Sequence, residues 1–239
     1  MQEIRFLDAG DAAIVVEFGR EIDPLINARV IALDAALASA TIEGIVETVP
    51  TYRSLMVQVD PLVFDREAFK TRVGAMLGQL DVAAGAGRRW RVPVVYGGEF
   101  GIDLDDVARR HGLTSEEIIH RHSAAVYRVY MIGFMPGFTY LGGLDQSIAV
   151  PRRLDPRPRT PRGTISIGGI QALIANQEMP SGWHLLGRTP VRAFLADREP
   201  AVLFAPGDEV VFEPIPAQRW DALDRAGERG EIIAEVIAP

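Results

Sequence analysis

The chain has 239 residues, 48% hydrophobic and 24% charged, enough material for the core of one large or two small globular domains. Its net charge of −7 argues against a nonspecific nucleic-acid track, and the absence of cysteine excludes thiol nucleophiles, disulfides and thiolate metal sites. No apolar run reaches bilayer-spanning length and Met1–Phe6 lacks a signal-peptide pattern, so a cytoplasmic protein without membrane contact is expected.

Residues 1–80 read as a small α/β domain. Glu3–Leu7 and Ala12–Phe18 have the short apolar character of strands. Pro24–Ala40 carries Leu25, Ala28, Ile31, Ala32, Ala35 and Ala36 at helical spacing, behind Asp23 as N-cap and Pro24 in the first turn. Ile45–Val49 and Ser54–Asp60 read as strands across a Pro50-Thr51-Tyr52 turn. Asp65–Leu80 reads as a helix with Phe69, Val73 and Met76 on one face. The order strand-strand-helix-strand-strand-helix predicts two helices on one antiparallel sheet, a ferredoxin-like layer. Residues 81–89, small and rich in Gly and Ala, read as a linker.

Residues 90–239 form the second expected domain. Arg91–Tyr96 reads as a strand, followed by helices over Asp103–His111 and Thr114–Ala125. The second helix opens with a capping box, Thr114 with Glu117 three residues on. Beyond it, Tyr127–Met131, Gly163–Ile167, Ala172–Ala175, Trp183–Leu186, Val191–Leu195, Glu209–Phe212 and Glu231–Ile237 read as short strands. Glycine and proline stand at their joints, which predicts a closed barrel.

Two dense runs stand out, Met131–Leu144 (MIGFMPGFTYLGGL) and Pro180–Pro190 (PSGWHLLGRTP), on either side of an Arg/Pro-rich loop. Glycine permits sharp bends and close approach, and aromatics beside it can line an apolar wall; a built site or two tight barrel corners would both give this pattern. The loop holds Arg152, Arg153, Arg157, Arg159 and Arg162, a cluster suited to a small anion or a protein partner. Lys70 is the single lysine, in surroundings that fit neither a phosphate-binding loop nor a Schiff base, and no Gly-x-Ser-x-Gly elbow is present.

Gly133–Asp145, Val150–Gly169 and Ser181–Pro190 together resemble the allophanate hydrolase subunit 1 family, which includes the Kip sporulation-kinase inhibitor and the 5-oxoprolinase B subunit. The resemblance extends from about Ile4 to about Pro216. It implies an α+β chain, the small ferredoxin-like N-terminal domain followed by a cyclophilin-like β-barrel. It also implies a subunit of an ATP-dependent lactam hydrolase that opens 5-oxoproline to glutamate only with separate A and C subunits, ATP being bound with or by a partner. Two alternatives travel with the resemblance: a Kip-like inhibitor of a sensor histidine kinase, and a urea-degradation component working beside carboxylase domains. In relatives the Gly-Gly pair is usually followed by Gln-Thr-Gly-Ile-Tyr-Pro. Here Ile170–Pro180 retains or shifts the Gln but lacks that Gly and Tyr, a departure that implies either a pocket specialised for another substrate or a copy that has lost activity.

Within these motifs Arg188 is expected to clamp a carboxylate, its plainer reading being a surface arginine at a turn. His184 is a possible acid or base, or a strand histidine bonded to backbone. Gln171 is read as a partner for the lactam amide and Glu178 as an orienter of water or a metal. Arg159, with Arg157 and Arg162, is read as gripping a phosphate or facing a partner chain. Phe138, with Phe134, Tyr140 and the nearby glycines, is expected at the barrel mouth. His111, His120 and His122 do not read as a metal site, since positions two apart on a helix point to separate faces.

Overall fold

The computed structural model describes residues 4–80 and 87–237. It divides into two compact units, residues 1–86 and 87–239. Glu3, read as a strand start, and residues 81–86 of the expected linker lie outside the described residues.

The first unit is one four-stranded antiparallel sheet, in the order β1 (Arg5–Asp8), β2 (Ala13–Glu17), β4 (Ser54–Val59), β3 (Ile45–Pro50). Helix α1 (Pro24–Ala40) starts where Asp23 accepts hydrogen bonds from the amides of Leu25 and Ile26, at 2.8 and 3.0 Å. That satisfies two of the free amides of a first helical turn. Helix α2 (Arg66–Leu77) repeats the device with Asp65. Val30, Leu33 and Leu37 of α1 and Phe69 and Val73 of α2 bury against Ile14, Val16, Leu55 and Val57. These strand residues alternate with outward ones, the period-two pattern of a sheet covered on one face. The layer is ferredoxin-like, with the chain's first strand standing at the edge beside β2.

The second unit is a closed barrel of seven strands: β5 (Arg89–Tyr96), β6 (Tyr127–Ile132), β7 (Thr139–Gly142), β9 (Thr164–Gly168), β10 (Gln171–Ile174), β12 (His184–Arg188) and β13 (Glu209–Pro214). Closure falls on β5. One edge runs parallel to β13, and the other is shared by β14 (Glu235–Ile237) at Arg89–Arg91 and by β12 at Val95–Tyr96. Val92, Val94, Val129, Leu141, Ile165, Ile167, Ile174, Leu186 and Phe212 belong to one apolar core with helices α3 (Leu104–His111) and α4 (Ser115–Ala124). The capping box at Thr114 forms as the sequence predicts, with both reciprocal bonds present. Gly101 lets the turn before α3 lie on β12, because a Cβ there would stand 1.9 Å from the Leu186 carbonyl oxygen. A two-stranded ribbon, β8 (Arg157–Thr160) with β11 (Met179–Ser181), stands beside the barrel.

Two expectations are corrected here. Val191–Leu195 forms no strand, only an isolated bridge from Phe194 to Val202. The Asn176 side-chain amide occupies both backbone groups of Phe194, donating to its carbonyl at 3.0 Å and accepting from its N–H at 3.1 Å, where a strand partner would bond. Trp220–Glu228, unassigned from sequence, is helix α5. No helix among the described residues is long and apolar enough to cross a membrane.

Candidate functional site

Asp103, at the start of α3, organises this side of the barrel. It is almost fully buried, and its side chain caps no helical amide. Instead it accepts both terminal nitrogens of Arg157 at 2.6 and 2.8 Å, and the Leu185 amide at 2.8 Å. Arg153 stands 3.5 Å away. One carboxylate thus ties the arginine loop to β12. Two more bonds complete the fastening: the Arg153 amide donates to the Gly182 carbonyl at 2.7 Å, and His184 Nε2 donates to the Pro151 carbonyl at 3.0 Å.

The fastened loop shapes two adjoining clefts. The first, about 470 Å³, is lined by Arg110, Pro151, Arg152, Arg153, Leu154, Asp155 and His184. The second, about 210 Å³, has an aromatic and apolar wall of Phe134, Phe138, Tyr140, Leu173, Met179 and Trp183. Arg152 lines both. Its guanidinium lies over the Trp183 ring at 5.0 Å, within cation–π range. The ring packs on the Gly168 backbone, where a Cβ would come within 2.9 Å of it.

The wall is built from strand alternation. Ala172 and Ile174 of β10 enter the barrel core while Leu173 turns outward, directly across from Tyr140 on β7. Leu173 and Ala175, within the segment that departs from the usual Gln-Thr-Gly-Ile-Tyr-Pro, both join the buried cluster with Phe138, Met179 and Trp183. Phe134 holds its ring 72% exposed at a backbone φ of 71°, a left-handed conformation costing a bulky residue about 1–2 kcal/mol. Its ring meets Phe138 edge-on at 5.5 Å, and Phe138 meets Tyr140 at 4.8 Å. Burial raises the Tyr140 hydroxyl above its ordinary range, so it stays protonated near neutral pH.

The sequence-named residues separate. Phe138 is in the apolar wall and His184 in the polar cleft. Burial lowers the His184 pKa, so the ring is neutral near pH 7; Nε2 is committed to Pro151, while Nδ1 is buried without a partner. Gln171 shares the outward face of Leu173 but lines neither cleft. Glu178 and Arg159 bond to each other on the surface, Nε to Oε1 at 2.7 Å, and line neither cleft. Arg162 pairs with Asp224 at 3.2 Å.

Arg188 stands apart from both clefts. Its Nε donates to the Arg162 carbonyl at 3.0 Å, and its guanidinium lies 4.6 Å over Trp220 and 5.9 Å from Phe100. Desolvation, then the Arg162 charge, lowers its pKa from the ordinary arginine value. The geometry gives it a packing role under α5. Sequence reasoning passed over Arg152 as a site residue; its distinguishing feature, lacking a carboxylate partner, exists only once the other loop arginines have found theirs.

A family model described as carboxyltransferase domain, subdomain C and D, matches residues 4–204. The chain is 36% identical over 224 residues to the 5-oxoprolinase B subunit of Bacillus subtilis, covering 89% of this chain and 93% of that protein. It is 42% identical over 170 residues to the 5-oxoprolinase B subunit of Haemophilus influenzae, covering 71% and 79%. Among solved structures, TTHA0988 superposes with a TM-score of 0.76 at 34% identity over 86% of this chain. This chain spans only 40% of that longer one.

Proposed function

The chain belongs to the 5-oxoprolinase group of the carboxyltransferase subdomain C and D family, with the B subunits as its relatives, and we propose that it serves as one subunit of an ATP-dependent 5-oxoprolinase. The observation that carries the reading is the pair of clefts joined at Arg152: a cationic group beside a small aromatic wall suits an acid whose carbons are apolar. 5-Oxoproline is a small acid whose ring methylenes suit that wall, with its lactam group as the reacting part.

A lactam carbonyl is a poor electrophile. Transfer of the ATP γ-phosphoryl group to its oxygen, attack of water at that carbon, cleavage of the C–N bond and loss of phosphate give glutamate. In this scheme the chain's own residues hold and orient the lactam, while the phosphates of ATP are held by separate A-type and C-type subunits. Lys70 supports that division: its ammonium is 2.7 Å from Glu67 and sits in the N-terminal unit, not in a glycine-rich phosphate loop.

The test is turnover by the purified chain alone. With ATP and 5-oxoproline it is expected to release neither glutamate nor phosphate above the blank. Robust release from the single chain would overturn the subunit reading.

A further inference from the structure

We propose that Arg152, laid across Trp183, is the carboxylate anchor of the aromatic cleft, and that the cleft takes a small monocarboxylate with its apolar carbons against Phe138, Tyr140, Leu173 and Met179. The inference rests on the lactam-hydrolase reading for the identity of the acid, but the anchor itself is argued from the arrangement of charges.

Each of the other loop arginines is occupied. Arg153 and Arg157 face Asp103, Arg159 pairs with Glu178, and Arg162 with Asp224. Among the described residues Arg152 makes no ion pair with a carboxylate; its guanidinium lies over the Trp183 ring, and its charge reaches the Tyr140 hydroxyl. A guanidinium carries five donors in a planar fork that matches a carboxylate, and stacking on an aromatic ring leaves its edge free to donate. Asp155, the acidic residue of this region, lines the polar cleft and not the aromatic one, so an anion beside Trp183 is not repelled from within its own cleft. The wall behind is preorganised: Trp183 rests on Gly168, Tyr140 lies across from Leu173, and Phe134 is fixed outward at positive φ. About 210 Å³ is room for a small ring and its carboxylate.

The experiment has two arms, each run on the full chain and on the complex with co-expressed A-type and C-type subunits. In the first, Trp183 emission and calorimetry report the binding of 5-oxoproline, cyclopentanecarboxylate and pyroglutamide, whose carboxylate is replaced by a neutral carboxamide. The acids are expected to bind at least about tenfold more tightly than the amide, as a charge-assisted bond predicts. Arg152→Ala removes that preference, Arg152→Lys restores part of it, and Trp183→Phe removes the fluorescence change. Equal affinity for acid and amide, an Arg152→Ala chain that still prefers acids, or no acid binding in either preparation overturns the anchor.

The second arm separates the anchor from the lactam reading. In an active complex Arg152→Ala is expected to raise KM for 5-oxoproline about ten- to a hundredfold with a smaller change in kcat, as loss of uniform binding does. An unchanged KM sinks the anchor and leaves the subunit reading standing. Acid binding that depends on Arg152 in a complex without turnover sinks the lactam reading and leaves the anchor.

Discussion

Asp103 and Arg157 form a two-point ion pair, with nitrogen–oxygen distances of 2.6 and 2.8 Å, at a position where the aspartate is only 3% exposed. The same carboxylate holds the Leu185 amide, so it joins the arginine loop to the strand carrying His184. Truncating one member of a buried pair leaves the other charge and its donors stranded. Asp103→Ala is therefore expected to lower the stability of the barrel unit by about 3–5 kcal/mol, read from urea unfolding. A loss below about 1 kcal/mol would show that the loop is held by other means.

His122 is wholly buried, hydrogen-bonded through Nδ1 to the Tyr96 hydroxyl at 2.8 Å and stacked on Phe212 at 4.9 Å. Burial pulls its pKa from 6.5 to about 3. Below pH 6.5 the unfolded chain takes up a proton that the folded chain refuses, so folding stability declines as pH falls towards 3. The slope from this group approaches about 1.4 kcal/mol per pH unit. His122→Gln should flatten that part of the stability–pH curve. An unchanged slope in the variant would assign the acid sensitivity to other groups.

Glu178 and Arg159 make an exposed pair away from both clefts. Exposed pairs contribute about 0–1 kcal/mol. Glu178→Ala is expected to leave stability within that range and turnover by the assembled complex within about twofold of the parent. A hundredfold fall in kcat would return Glu178 to the water-orienting role that its sequence position suggests.

Gly168→Ala places a methyl group against Trp183, whose ring lies 2.9 Å from the new carbon. The backbone there needs no positive φ, so the ring and not the strand must yield. The expected result is shifted Trp183 emission and weaker binding of acids, with a stability loss of about 1–3 kcal/mol. Unaltered emission together with unaltered binding would show that the ring is not fixed by this contact.

Arg188→Ala is expected to loosen α5, because the guanidinium stacks on Trp220 and its Nε holds the Arg162 carbonyl. A cost of about 1–3 kcal/mol follows from the lost stacking and hydrogen bond. Full stability with abolished 5-oxoproline binding would instead make Arg188 the carboxylate clamp.

What could be read from the chain follows the range of the forces involved. Caps and periodic helices are local, so Pro24–Ala40 with Asp23, and the Thr114–Glu117 box, are visible in the residues themselves. Strands with alternating or continuous apolar character, such as Ala13–Glu17 and Arg89–Tyr96, are visible to within two or three residues. Barrel closure through β5 and β12 joins residues some ninety positions apart, and no local pattern encodes it. Helix α5 is nine residues long with Trp220, Leu223 and Ala226 as its inward positions, too short for periodicity to declare it.

The site divides along the same line. The glycine- and aromatic-rich runs fit a built site and two tight barrel corners equally, and Phe138 of the first run lies in the apolar wall. Which arginine is left without a carboxylate depends on Asp103, Glu178 and Asp224 arriving from distant segments. Arg188 and Glu178 have the right chemistry for a site, yet the fold turns one onto Trp220 and the other onto Arg159.

The most direct test is 5-oxoproline-dependent ATP hydrolysis, with glutamate measured alongside ADP, by co-expressed A-type and C-type subunits with and without this chain. The account predicts glutamate and ADP released together by the full set and lost when this chain is omitted. Equal turnover in its absence, or an assembled complex that hydrolyses no 5-oxoproline, would contradict it.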